Sequence, residues 1–162
     1  MRAMYLDALS FLEDERDAWR PYERLGDLTD DQLAIPVDAA HGWSGRDLIG
    51  HLVGWLELGL TVARELAVNE GSPAKIAADR EWDERGEIRV NEELLERFAA
   101  LPMDEVRRRF EAVPGELRGY LTVVPETRWV KNAEYLEFFL SETMDHYADH
   151  MDDLAAILVA AG

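Results

Sequence analysis

One apolar stripe constrains this chain more than any other feature. Leu48, Leu52, Trp55, Leu58, Val62 and Leu66 recur at steps of three and four residues, the period of a helix with one face against a core. Ser44 stands where an N-cap belongs, and Asp47 three residues later approximates a capping box, so the spacing predicts a helix from about Ser44 to Val68. The same period runs from Met4 to Leu25 through Tyr5, Leu9, Leu12, Trp19 and Tyr22. It returns from Asn91 to Val124 through Leu94, Phe98, Val106, Phe110, Leu117 and Leu121, and again from Asn132 to Ala160. Pro102 predicts a break near Leu101, and Pro114 a break or kink near Val113, because proline removes a backbone donor and crowds the preceding turn. No segment alternates with period two between hairpin turns. The expected fold is all-α, a four-helix bundle.

The connections are uneven. "GDLTDDQLAIPVDAAHGW" breaks the period with Gly26, Pro36 and Gly42, and within it "TDDQLAI" predicts one short turn capped by Thr29. From Asn69 to Val90 the chain is polar and holds Gly71, Pro73 and Gly86. This reads as a connection long enough to cross the bundle, so helices two and three need not be antiparallel neighbours. A chain of 162 residues is expected to form one domain over 1–162 with its own core.

The composition excludes several functions. Cysteine is absent, which removes thiolate nucleophiles and Cys-based zinc sites and leaves any metal to His and carboxylate ligands. A formal net charge of −17 weighs against nucleic acid, since phosphate binding draws on clustered Lys and Arg. The one basic run, Arg107–Arg109, reads as a solvated helix face. The N-terminus has no signal-peptide core, and no apolar run approaches the roughly 18–20 residues of a membrane span. The expectation is a soluble, cytoplasmic protein with no membrane partner. Phe11 and Phe138 read as exposed apolar positions that leave a homodimer open.

Three of the four histidines fall on inward stripes. On the last helix the stripe reads Leu136, Phe139, Thr143, His146, His150, Leu154, Ile157. His146 and His150 thus share one side of the helix, a turn apart, while Glu137, Asp145, Asp149 and Asp152 form an acidic outer face. His51 lies between Leu48 and Trp55 in the same way. His41, in the glycine-containing loop, reads as an ordinary exposed residue. Two readings stay open on spacing alone: satisfied core histidines, or three ligands of one ion. An ion would relieve the cost of burying three imidazoles together. A three-histidine set suits Zn²⁺, Ni²⁺ or Fe²⁺ and leaves a coordination position open, by default for water. Glu142, Asp145 and Asp149 are near enough in sequence for a supporting role, but their expected direction is outward.

Three collinear pieces, "LTDDQLAIPV", "GWSGRDLIGHLVGW" and "HYADHMDDL", resemble the DinB-like (YfiT-like) superfamily of metal-dependent proteins. The region around His51 is most similar to the N-terminal domain of the mycothiol-dependent maleylpyruvate isomerase group. The resemblance covers nearly the whole chain and implies an up-down-down-up bundle. It also implies a divalent metal, commonly zinc or nickel, held by His51, His146 and His150. Some relatives are thiol-dependent isomerases or S-transferases using mycothiol, bacillithiol or glutathione. The implied activity is therefore a metal-dependent thiol S-transferase or isomerase acting on an electrophilic small molecule, with Trp82 and Arg85 as candidate substrate contacts. Two departures bear on the isomerase reaction itself. The 162 residues leave no room for that group's additional C-terminal domain, and His146 stands where the group is similar to E-x-x-x-H. A metal-dependent hydrolase and a non-catalytic stress-response or binding protein with a structural metal are the alternatives.

Overall fold

The structure, a computed structural model, describes residues 5–162, so the expected start of the first helix at Met4 lies outside the described residues. Helix α1 (Ala8–Trp19) is capped by Asp7, whose carboxylate accepts from the Ser10 N–H at 2.8 Å. It passes into a 3₁₀ stretch, Arg20–Asp27, where Pro21 sits in the first turn. A short α2 (Asp30–Leu33) follows, with Thr29 and Gln32 forming a complete capping box. Helix α3 (Gly45–Val68) begins at the Ser44–Asp47 capping box and ends where the stripe predicts.

The polar stretch after α3 is not a loop. It holds α4 (Pro73–Arg85), capped by Ser72, and the start of α5 (Glu87–Ala99), joined at Gly86. Its apolar residues are too few to show a helical period, and tertiary contacts supply the order: the Ser72 N–H donates to the Tyr135 hydroxyl, and the Ser72 hydroxyl to Glu65. Helix α6 (Met103–Val123) starts after the expected break at Pro102. No break occurs at Val113; α6 runs through Pro114, which is buried with Val113, Leu117 and Leu121 against the core. Packing on both sides of the proline offsets the lost backbone hydrogen bond.

The last helical stretch is three pieces in line, α7 (Ala133–Glu142), α8 (Met144–Asp149) and α9 (Met151–Ala161). The interruptions fall at Thr143 and His150, both on the inward stripe. Among the described residues there is no strand, only an isolated antiparallel bridge between Val37 and Trp43.

Pairings across the core give the directions of the four rods. Glu15 meets Arg118 and Trp19 meets Phe110, so α1 and α6 are antiparallel. Glu57 meets Arg109 and Arg64 meets Glu116, so α3 and α6 run parallel. Gly45 faces Ile157, His51 meets His146, and Glu65 reaches Tyr135 through Ser72, so α3 opposes α7–α9. That is up-down-down-up, with α4 and α5 as the crossing segment.

Helix α3 is the centre. Leu48, Ile49, Leu52, Val53, Leu56, Val62, Ala63 and Leu66 are all buried, which is more of its circumference than one stripe. Each large aliphatic side chain so buried stabilises the fold by roughly 1.5–3 kcal/mol. The inward face of α1 also differs from expectation. Trp19 and Tyr22 are buried as the stripe predicts, but Leu9 is exposed and Phe11 and Glu15 are buried in its place. Glu15 interrupts the apolar pattern because Arg118 and the Tyr147 hydroxyl satisfy its carboxylate; a buried carboxylate without such partners would cost several kcal/mol, on the order of 3–5. Phe11 and Phe138 are core residues, Phe11 edge-on to Trp129 and Phe138 edge-on to Phe139. Neither is available to a dimer interface.

Candidate metal centre and its cavity

Two helix starts and one helix junction position the site. The Ser44–Asp47 box fixes the beginning of α3, which places His51 two turns in. The Val37–Trp43 bridge, closed by the Val37 N–H to Trp43 O bond at 3.0 Å, lays the Trp43 ring 4.8 Å from that of His51. From the opposite rod come His146 on α8 and His150 at the α8–α9 junction.

The three rings converge. Their centroids are 4.7, 4.8 and 4.9 Å apart pairwise, and one nitrogen from each lies within 4.8 Å of the others. His51 Nε2 and His146 Nε2 stand 2.8 Å apart. His51 is only 6% exposed, and its Nδ1 has no hydrogen-bond partner among the described residues. Burial, then the neighbouring His146 and His150, pushes the His51 imidazole down to about 3. Burial and His150 push His146 down to about 4. Both rings are therefore neutral near pH 7, with lone pairs available to a cation.

His150 is oriented from behind. Its Nδ1 meets Asp153 Oδ2 at 2.8 Å, and its ring stacks on Trp43 at 5.6 Å. A carboxylate on Nδ1 fixes the proton there and leaves Nε2 as the ligand atom. The other Asp153 oxygen meets His41 Nδ1 at 3.0 Å. Asp153 is buried, whereas His41 is exposed as expected and sits in the left-handed region at φ 61°.

The donor set fits a divalent ion. Between two neutral imidazoles only one N–H···N bond can form, so the third lone pair goes unmatched; an ion satisfies all three at once. Nitrogens bound to one tetrahedral zinc stand about 3.3 Å apart, so His51 and His146 need to separate by about half an ångström to share it. Three imidazole nitrogens with no thiolate suit Zn²⁺, Ni²⁺ or Fe²⁺ alike.

The histidines border a cavity of about 730 Å³. Trp55, Leu58 and Phe138 form an apolar wall, and Trp82 of α4 meets Trp55 edge-on at 5.7 Å. Trp55 is held by its indole N–H, which donates to Asn91 at 2.9 Å. Lys75 lies in the wall, bonded to Asp79 at 2.8 Å and Glu134 at 3.1 Å. Of the two loop residues expected to contact substrate, Trp82 lines the cavity and Arg85 does not; its guanidinium pairs with Glu93 at 2.8 Å. Glu142 and Asp149 were expected to face outward, yet both line the cavity, as does Glu137. Glu142, His146 and His150 recur at steps of four, so Glu142 shares the histidines' side of the rod, and α4 and α5 cover that side. Burial and the nearby Asp79 push the Glu142 carboxyl up to about 8. Asp145 is half-buried and does not line the cavity.

A family model described as the mycothiol maleylpyruvate isomerase N-terminal domain matches residues 12–150. The chain belongs to that family. This domain lies within the DinB/YfiT-like superfamily, and the matched stretch contains all three histidines, His150 being its last residue. No curated protein and no solved structure gives a significant match. Within this isomerase-domain architecture, spacing had indicated the three candidate ligands but not the groups around them. Asp153 was legible as a carboxylate three residues after His150, one turn on. Trp43 and Lys75 carried no comparable signal, since only the fold brings them to the cavity.

Proposed function

We propose that this chain is a metal-dependent enzyme that activates a low-molecular-weight thiol, of the mycothiol type, for transfer to or isomerisation of an electrophilic small molecule. The observation that carries this reading is the convergence of His51, His146 and His150 within 4.8 Å at the edge of a cavity of substrate size. The family match supports the thiol class. When bound, a divalent ion supplies positive charge that lowers the pKa of a thiol brought to it.

The chain's own residues do the rest. Asp153 holds the His150 ring so that Nε2 faces inward, and Trp43 covers that ring. Trp55, Leu58 and Phe138 keep water off one side of the reacting groups. The Trp55–Trp82 edge contact ties α4 to this wall.

The test is metal analysis of untagged protein beside His51→Ala and His150→Ala, followed by incubation with mycothiol and an electrophilic acceptor. We expect about one equivalent of metal in the parent, a loss in both variants, and thiol-dependent consumption of acceptor only in the metal-bearing protein. Negligible metal in the parent and no change in the variants would refute the proposal.

A further inference from the structure

The cavity beside the histidines is markedly acidic for its size. Asp79, Glu87, Glu134, Glu137, Glu142 and Asp149 line it, against one ammonium, Lys75, and no arginine among the described residues. Lys75 is already committed to Asp79 and Glu134. Glu142 has no hydrogen bond or ion pair among the described residues, and its carboxyl is pushed up to about 8 by burial and Asp79.

The chain's own cation shows what such a cavity stabilises. The Lys75 ammonium sits between two carboxylates and lies 5.8 Å from the Phe138 ring centre and 5.9 Å from that of Tyr135. This is ion pairing combined with cation–π contact. Further along α4 the cavity has an aromatic corner that holds no cation. Trp82 is one turn from Asp79 on α4, stands edge-on to Trp55, and is 39% exposed.

We propose that the cavity selects a ligand bearing an organic ammonium group on an apolar or aromatic body, with Glu142 as its charge partner and the Trp55–Trp82 corner as its aromatic contact. It discriminates against carboxylate ligands. This rests on the proposed enzymatic reading only for the ligand's role as the thiol acceptor; selection of the cation needs no metal.

The test is calorimetric titration of the full chain, metal-free and zinc-supplemented, at about pH 8, where Glu142 titrates. The probes are phenethylammonium, 2-phenylethanol and 3-phenylpropanoate. In the metal-free protein the ammonium is expected to bind about tenfold more tightly than the carboxylate, through opposite-charge pairing and cation–π contact. Glu142→Gln is expected to weaken the ammonium about fivefold and leave the alcohol unchanged. Trp82→Leu, on a half-exposed residue that leaves the core intact, is expected to weaken the ammonium as well. Carboxylate binding as tight as that of the ammonium in metal-free protein would overturn the proposal, as would an undiminished preference in both variants. A cation preference in protein that takes up no metal would refute the metal reading while this one stands.

Discussion

His150 shows how much one residue depends on its neighbour. Its ring faces the other two histidines because Asp153 holds Nδ1 at 2.8 Å and Trp43 stacks on its face. Replacing Asp153 with Asn keeps the volume but removes the charge that fixes the tautomer and raises ligand basicity. We predict that Asp153→Asn binds zinc about 10–100-fold more weakly than the parent, as other metal sites do when a supporting carboxylate is lost. Competition against a chromophoric chelator measures this, with circular dichroism to confirm the fold. An unchanged affinity would mean that Asp153 serves the fold alone. His41, on the other carboxylate oxygen, is solvent-exposed, so its loss is expected to matter less than that of Asp153.

At the scale of elements, α3 decides the architecture because other helices pack on so much of its circumference. Its close contact with α5 depends on glycine. A Cβ at Gly50 would stand 2.8 Å from Phe98 Cβ, and one at Gly54 would stand 2.4 Å from a Leu94 methyl. The Leu94 methyl ends a flexible side chain, whereas Phe98 Cβ is fixed to its backbone, so Gly50 is the stricter position. Alanine gains about 1 kcal/mol of helix propensity over glycine, but overpacking costs about 1–3 kcal/mol. We predict that Gly50→Ala is destabilised by up to about 2 kcal/mol net, read by urea unfolding. A more stable variant would show that α5 shifts freely. This matters for function, because α5 carries Asn91, which holds Trp55 at the cavity wall.

For the whole molecule, the histidines join two rods. His51 belongs to α3, and His146 and His150 to the rod running against it, so an ion held by all three binds only the folded chain. At a free metal concentration 100 times Kd, this linkage is worth about 2.7 kcal/mol. For a chain of this size that corresponds to a rise in Tm of roughly 5–10 °C. Thermal unfolding with zinc and then with excess chelator tests it. The rise should be reversible and absent from His51→Ala; equal unfolding temperatures in both conditions would contradict a shared site. No helix among the described residues is long and apolar enough to cross a membrane.

The sequence by itself determined the helical class, the extent of α3, the break at Pro102 and the candidacy of His51, His146 and His150. All of these follow from local spacing and caps, which act over a turn or two and survive whatever the rest of the chain does. Only the tertiary structure decided the remainder. Glu15 is buried where Arg118, more than a hundred residues away, meets it, and Leu9 on the same helix is exposed. Helix α4 exists where composition reads as loop, since Glu65 and Tyr135 order its start. Glu137, Glu142 and Asp149 line a cavity because α4 and α5 supply its other side. Each of these outcomes comes from a contact between distant segments, and local periodicity carries no record of such contacts.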